Sequence, residues 1–553
     1  MDPTDESPWW KRTTVYQIYV RSFADSDGDG IGDIPGIIGR LEYLQGLGVE
    51  TLWLTPFFRS PQADFGYDIS DHFDVSPEYG TVADAERLIR EAHARGMKIV
   101  FDMVLNHTSD QHPWFVESRR SRASEKRGWY LWREGARGGE APPNNWRSML
   151  GGSGWHRDEA SGDWYWASFL PFQPDLNWRN PEVKKAMLDL VRHWLSKGVD
   201  GLRLDIFNAL YKDPSFADNP FSVRPFPAED NSDGFFQRNV HTLNHPDTLA
   251  FARELRAEVD SFTAPPRFVV GEVFGDAETL RRYCGDRSDG LHLVFLFKSL
   301  RTAFAARPVR ALIDEFERAF PDPLMPTWVF GNHDRPRLMH RLGDSVEKAK
   351  LLATLQLTVR GVPFIYYGEE IGMGNHDLPL KQGLDPVASR FRFVPQPVAG
   401  FMRRHGIILN RDECRTPMQW EGGPNAGFCP ASARPWLPLH PRYPEINVAA
   451  QDGDSGSLLS CYRALLKLRR ELPALNDGRL ELLDAASLPP DVVAYRRTRG
   501  EAAAEVFLNF GESPRQLDLS EHNGKRLFSN RRAQVTTLAT GYTLGGYEGV
   551  VVF

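Results

Sequence analysis

KIVFDMVLNH, residues 98–107, is the stretch on which the fold turns. Asp102 alone interrupts its apolar run, and there is no polar alternation. That is the signature of a strand covered on both faces, as in a parallel sheet. It ends in the polar pair Asn106 and His107. Immediately before it, TVADAERLIREAHARGMK (residues 81–98) reads as a helix, with Thr81 as N-cap and Gly96 at its end. A helix feeding a fully buried strand is half of a β/α repeat.

The same alternation extends in both directions. Upstream lie the strand TVYQIYV (14–20), the helix IIGRLEYLQGLG (37–48) with Ile37, Ile38, Leu41, Leu44 and Leu47 on one face, and the strand VETLWLTP (49–56). Downstream, the rhythm breaks from about 108 to 171, where Gly, Pro, Trp and charged residues follow no period. A stretch of that length without strong elements is a functional excursion or a small inserted domain. The alternation resumes with the helix PEVKKAMLDLVRHWLSKG, which has Pro at its start, and the strand VDGLRLDI. RFVVGEV, LHLVFLF, PTWVFGN and VPFIYYG then bring the strands to eight, with the helices DTLAFARELRAEVDSF, VRALIDEFERAF and VEKAKLLATLQLTV among them. Eight such units predict an α/β chain folded as a (β/α)8 TIM barrel over 1–107 and 172–474, closed by the helix GSLLSCYRALLKLRREL. Residues 108–171 are the insertion after the third strand. From 475 to 553 the pattern changes to short strands (LELLDA, VVAYRRT, AAAEVFLNF, EGVVVF), which predict an antiparallel β domain.

The bulk composition excludes several function classes. A 553-residue chain of net charge -7 with mixed signs suits neither nucleic acid nor anionic membrane. No apolar run approaches the ~20 residues that span a bilayer. The N-terminus MDPTDESPWW has neither basic start nor apolar core, so it does not read as a signal peptide. Cys284, Cys414, Cys429 and Cys461 form no CxxC pair and predict reduced thiols, hence a cytoplasmic protein. Fifteen tryptophans fit sugar-stacking platforms as well as core packing.

In a (β/α)8 barrel, chemistry sits where strands run out into loops. Those ends carry Asp102, Asn106 and His107 (third strand), Arg203 and Asp205 (fourth), Glu272 (fifth), and His333, Asp334, Arg335 and Arg337 (seventh). Converging acids are costly unless the site uses them, although salt bridges across a barrel mouth would use the same residue types. No nucleophilic Ser or Cys lies in a recognisable elbow. Paired carboxylates without one suit glycosidic-bond chemistry, in which one acid protonates the leaving oxygen and another attacks or stabilises the sugar cation. Arg203, two residues before Asp205, shares its face and keeps it ionised. Glu272 follows FVVG, whose apolar walls favour a protonated acid.

FDMVLNH, GLRLD, GEV and FGNHD, in that order and on those strands, resemble the four signature segments of glycoside hydrolase family 13, the α-amylase family. GYDISDHFDVSPEYGT, QPDLNW, RTPMQW and YPEINV resemble its oligo-1,6-glucosidase and α-glucosidase branch. The likeness spans nearly the whole chain. It implies a catalytic barrel, an inserted domain after the third strand and a C-terminal β-sandwich. It implies a retaining, exo-acting α-glucosidase for short oligosaccharides. Asp205 is then the nucleophile that forms a β-glucosyl intermediate, Glu272 the acid/base, and Asp334 the carboxylate that holds sugar hydroxyls and favours a distorted ring. His107, Arg203 and His333 line the first glucose site. Tyr67, Asp68 and Arg415 close the pocket on the terminal glucose, and Gln173 and Arg337 are further candidates for substrate contact. Related glucosyl-transferring or isomerising enzymes, such as trehalose synthase, use the same three acids and differ in excluding water. The expected partner is a small oligosaccharide, with no nucleic acid and no membrane. Ile206, next to the nucleophile, stands where this branch carries Val for α-1,6 or Thr and Ala for α-1,4 preference. It is apolar and β-branched like Val, only bulkier, and so predicts that α-1,6 linkages are favoured, or at least accepted. Arg335 departs from the usual Gln or Asn, and residues 376–410 form an excursion after the eighth strand that could reshape the outer subsites.

ADSDGDGIGD, residues 24–33, places Asp25, Asp27, Asp29 and Asp33 at alternate positions, with Ile31 between the last two. That spacing is like a calcium loop, with oxygens at positions 1, 3, 5, 7 and 9, one of them a backbone carbonyl. A strand rather than a helix precedes it, and position 12 is Gly36 instead of Glu. Similar loops in the resembling enzymes hold calcium or magnesium, so a structural ion on Asp25, Asp27, Asp29, Ile31 and Asp33 is expected, and no organic cofactor.

Overall fold

A computed structural model describes residues 7–225, 227–228, 230–404, 409–538 and 542–553. All eight expected strands form: β1 (Val15–Ile18), β2 (Thr51–Leu54), β3 (Lys98–Met103), β4 (Gly201–Leu204), β5 (Phe268–Gly271), β6 (Leu293–Val294), β7 (Thr327–Val329) and β8 (Val362–Tyr366). They are short and buried on both faces, as their unbroken apolar runs require. Contacts divide the chain into two compact units. The first comprises the N-terminal part up to Leu52, Glu91–Met97 and Phe297–Phe553; the second comprises Trp53–Arg90 and Lys98–Leu296.

In the second unit β3, β4, β5 and β6 are neighbours in that order, all parallel. The register pairs Asp102 with Arg203 across β3 and β4, and Leu204 with Gly271 across β4 and β5. Within residues 108–171 the strands Trp132–Arg133, Trp164–Trp166 and Trp155–Arg157 form a small antiparallel sheet. Trp146, Trp155, Trp166 and Leu131 make its core. Eleven of the fifteen tryptophans are buried, so most of the aromatic excess is packing.

In the first unit β1 and β7 flank β8, again parallel. The helix expected over 37–48 is instead two, Ile34–Gly39 and Leu41–Leu47, separated at Arg40. Gly39 is a poor helix former, and Arg40 N donates to Ile37 O three residues back, which tightens the turn. Towards the C-terminus a six-stranded antiparallel sheet runs through Arg479–Leu482, Val492–Arg499, Ala502–Asn509, Gly549–Val552, Arg526–Ser529 and Gln534–Thr537. A two-stranded sheet, Arg515–Leu517 with Tyr542–Leu544, packs on it through Leu517, Leu544, Phe507 and Val550. In the 376–410 excursion, helices cover Pro386–Arg390 and Gln396–Arg404, and residues 405–408 lie outside the described residues.

Candidate active site

The parallel register of the second unit builds one constellation. Arg203 lies beside Asp102, and the chain leaves β4 and β5 at adjacent points, through Asp205 and Glu272. One buried guanidinium then serves all three acids. Arg203 Nη1 donates to Asp102 Oδ1 at 2.8 Å and to Asp205 Oδ1 at 2.7 Å, and Nη2 donates to Glu272 Oε2 at 2.6 Å. Burial opposes the charge on Arg203, but Asp102 and Glu272, with Asp205, outweigh it and hold the group firmly protonated. The acids are not equivalent. Asp102 is fully buried, and burial pushes its carboxyl up to about 6 against the pull of Arg203. Its second oxygen accepts from Trp53 Nε1 and Tyr67 OH, both at 3.2 Å. The side chains of Asp205 and Glu272 keep 10% and 13% of their surface, enough to meet a ligand. Asp102 is therefore the buried anchor of the set, and Asp205 and Glu272 are the members a ligand can reach.

Tyr67 is fixed at two points, its hydroxyl on Asp102 and its carbonyl on His107 Nε2 at 3.1 Å. His107 is buried, and burial lowers its pKa, so the ring is neutral. Asp68 is fully buried and serves its own loop: Ser60 Oγ, Ala63 N and Asp64 N all donate to it. Burial raises its carboxyl to about 7. Gln173 donates to Asp64 Oδ2 at 3.0 Å and so braces that same loop.

The first unit holds the second constellation. Gln17 Nε2 donates to His333 Nδ1 at 2.7 Å, which leaves Nε2–H facing Asp334 Oδ2 at 3.2 Å. Tyr19 stacks on the His333 ring. Asp334 Oδ1 accepts from Arg415 Nη2 at 2.7 Å and from Arg411 Nη1 at 3.2 Å. Arg415 is itself fixed by donating from Nε to His333 O at 2.8 Å. Arg337 is placed differently. It lies against the Tyr366 and Tyr367 rings and donates to Tyr367 O at 2.7 Å. Burial, helped by the neighbouring charge of Arg411, pushes Arg335 down to about 10.

Four members of these constellations escape a motif reading: Trp53, Gln17, Arg411 and Asp385, which grips Arg411. Gln17 does leave a signal, as the one amide in the apolar run TVYQIYV. Arg411 and Asp385 lie 26 residues apart and leave none.

In the 25–33 loop, oxygens of Asp25, Asp27 and Asp29 gather within 4.8 Å of one another, the only such group among the described residues. Gly28 and Gly30 carry φ of +86° and +89°, and a Cβ on Gly30 would lie 2.0 Å from Arg434 O, so glycine is required there. Three carboxylates so close fit a hard cation with oxygen ligands. Asp33 stands apart. One of its oxygens accepts from Ser26 N and Oγ, and the other caps the helix Ile34–Gly39 through Gly36 N.

The family model for the α-amylase catalytic domain matches residues 17–478. The chain belongs to the α-amylase family, glycoside hydrolase family 13. A probable α-glucosidase of Rhizobium meliloti is 38% identical over 92% of this chain and 91% of its own. An oligo-1,6-glucosidase of Heyndrickxia coagulans is 38% identical over 94% and 96%. The solved structure of an α-glucosyl transfer enzyme superposes with a TM-score of 0.87 at 35% identity, covering 99% of both chains. This α-amylase-family chain is therefore a (β/α)8 barrel with an antiparallel C-terminal sheet, and it is a glycoside hydrolase. No described helix of it is long and apolar enough to cross a membrane.

Proposed function

We propose that the enzyme is a retaining, exo-acting α-glucosidase that releases terminal glucose from short α-linked oligosaccharides. The observation that carries this reading is the single guanidinium of Arg203, bonded to Asp205 through Nη1 and to Glu272 through Nη2. Two carboxyls within reach of one planar fork suit the ~5–5.5 Å separation of retaining enzymes better than the ~6.5–9.5 Å of inverting ones. Asp205, ionised beside Arg203, attacks the anomeric carbon. Glu272 gives its proton to the leaving oxygen, and the glycosidic C–O bond breaks. In the second half Glu272, now a carboxylate, takes a proton from water. That oxygen bonds to the same carbon, and Asp205 departs. The family resemblance gives Asp334 the role of holding sugar hydroxyls, and Tyr67 and Arg415 that of contacting the terminal glucose.

Ile206 supports activity on α-1,6 linkages, with α-1,4 as the competing substrate class. Transfer of the glucosyl unit to a second sugar is the second reading, favoured by the 35% identity to an α-glucosyl transfer enzyme. The 25–33 loop takes a structural calcium or magnesium on Asp25, Asp27 and Asp29, which supplies charge neutralisation and no chemical step. Four cysteines without a disulfide among them suit the cytoplasm.

A panel of isomaltose, panose, maltose, sucrose, trehalose and starch tests the reading. Isomaltose or maltose should yield glucose first seen as the α-anomer, and starch should be poor. Asp205→Asn should lose roughly 10³-fold or more, as single members of a catalytic unit do. Initial β-glucose, or full hydrolysis by the variant, would defeat it. Disaccharide isomers formed with little glucose would establish transfer instead.

A further inference from the structure

We infer that Asp385 is a positioning residue for Asp334 and acts through Arg411. The inference rests on the role proposed above for Asp334 and concerns what keeps that carboxylate in place.

Asp385 comes from the 376–410 excursion and is fully buried. A buried carboxylate costs several kcal/mol unless it is closely matched, and this one is. Arg411 Nε lies 3.1 Å from both of its oxygens, Arg411 Nη2 donates to Oδ1 at 2.7 Å, and Arg411 N donates to Oδ2 at 2.8 Å. Val387 N adds a donor at 3.0 Å. The two segments are bolted in the opposite sense as well, since Asp412 Oδ2 accepts from Leu384 N at 2.7 Å and Asp385 N at 3.1 Å. Burial opposes the charge on Asp385, but Arg411 outweighs it and holds the carboxyl below its usual range.

The consequence lies on the other edge of the guanidinium. With Nε and Nη2 clamped on Asp385, the planar group can point Nη1 in only one direction, and that direction is Asp334 Oδ1 at 3.2 Å. Arg415 reaches the same oxygen from an anchor on the His333 carbonyl. Asp334 thus sits between two guanidinium groups, each locked by a different support. Removing the Asp385 charge frees Arg411 to turn and pair more closely with Asp334, which draws that carboxylate off the sugar hydroxyls. An interaction that matters most in the distorted transition state is lost from kcat more than from KM.

The test compares wild type, Asp385→Asn, Arg411→Lys, the double variant, Asp334→Asn and Glu317→Gln on the best disaccharide of the panel, with melting temperatures for each. Arg411→Lys keeps the charge and loses the fork. Glu317→Gln breaks a different half-buried pair, with Arg360. We expect Asp385→Asn and Arg411→Lys each to lower kcat by about 10- to 100-fold, the scale of a misplaced catalytic group, with KM within about threefold. The double variant should be no worse than either single one. Glu317→Gln should lower the melting temperature and leave kcat alone. If Asp385→Asn does not fold, Arg411→Lys carries the comparison. Folded variants with wild-type kcat while Asp334→Asn is dead would overturn this inference alone, as would losses that simply multiply. A wild type without activity on any α-glucoside would overturn the functional reading and this inference with it.

Discussion

Ile206 follows Asp205, the proposed nucleophile, with φ +37° and ψ +48°, in the left-handed region. A β-branched residue there costs roughly 1–2 kcal/mol. Its side chain is 1% exposed and packs with Ala209, Leu243, Met149, Phe169 and Phe274, which offsets that strain. The twist turns Ile206 N towards Glu272 Oε2 at 3.3 Å, so one strained residue ties the end of β4 to Glu272. Ile206→Val keeps the branching, and should cost about 0.5–1.5 kcal/mol with the isomaltose-to-maltose ratio of kcat/KM within about threefold of wild type. Ile206→Thr should move that ratio towards maltose by about tenfold, the scale of one small group in a pocket. An unchanged ratio in Ile206→Thr would remove Ile206 from linkage preference. The identity of this residue was legible in the sequence and its strain was not, because φ is set by what surrounds a turn. The same holds for Arg203. Its place beside Asp205 follows from strand periodicity, while its bond to Glu272, 69 residues on, needs the β4–β5 register.

At the scale of elements, the strands and most helices were readable because burial on two faces and amphipathic period are local patterns. Helix starts were readable too: Thr81 Oγ1 accepts from Asp84 N at 3.2 Å and Asp84 answers on Thr81 N at 3.0 Å, a capping box at the position expected. The break at Arg40 was hidden because a helical face continues across it. The 25–33 loop makes the same point chemically. Even spacing put four aspartates in one series, yet Asp33 turns away to cap the next helix and leaves three carboxylates facing one another. Burial and the neighbouring charges of Asp27, Asp25 and Asp33 raise the Asp29 carboxyl, a repulsion a cation relieves. An ion present at a hundredfold its dissociation constant stabilises by about 2.7 kcal/mol. With an unfolding entropy of about 2.1 cal/mol/K per residue, its removal should lower the melting temperature by about 2 °C. Melting with and without a chelator, beside metal analysis of the purified protein, checks this. Asp27→Asn should melt near the chelated wild type and respond little to chelator. A chelator-insensitive melt with no bound divalent ion would leave the loop as a hydrogen-bonded acidic turn.

At the scale of the whole molecule, the four cysteines report on how tightly the chain is packed. All are free and buried, Cys284 in the second unit and Cys414, Cys429 and Cys461 in the first. Burial pushes the thiols of Cys284, Cys414 and Cys461 up to about 12, and burial with the nearby Asp25 charge pushes Cys429 to about 11. The thiolate is the reactive form. A raised pKa leaves it scarce at pH 8, and the surrounding core denies access to what remains. Labelling must therefore wait for an opening of the structure, and its rate measures the free energy of that opening. A thiol reagent at pH 8 should find almost no reactive group in the native enzyme and four per chain in denaturant. Cys429, with 6% of its surface exposed and the smallest shift, should react first on mild warming. A reductant should leave the melting temperature unchanged, since no disulfide constrains the unfolded chain. One thiol reacting within seconds in native buffer would contradict the burial of that residue, and mass mapping of the label would say which. Cys414, one residue from Arg415, is the informative case: its protection should rise when a slowly hydrolysed disaccharide is bound, because a ligand held by the native state alone raises the cost of opening. Equal labelling of Cys414 with and without that sugar would argue that the 411–415 segment does not feel an occupied pocket.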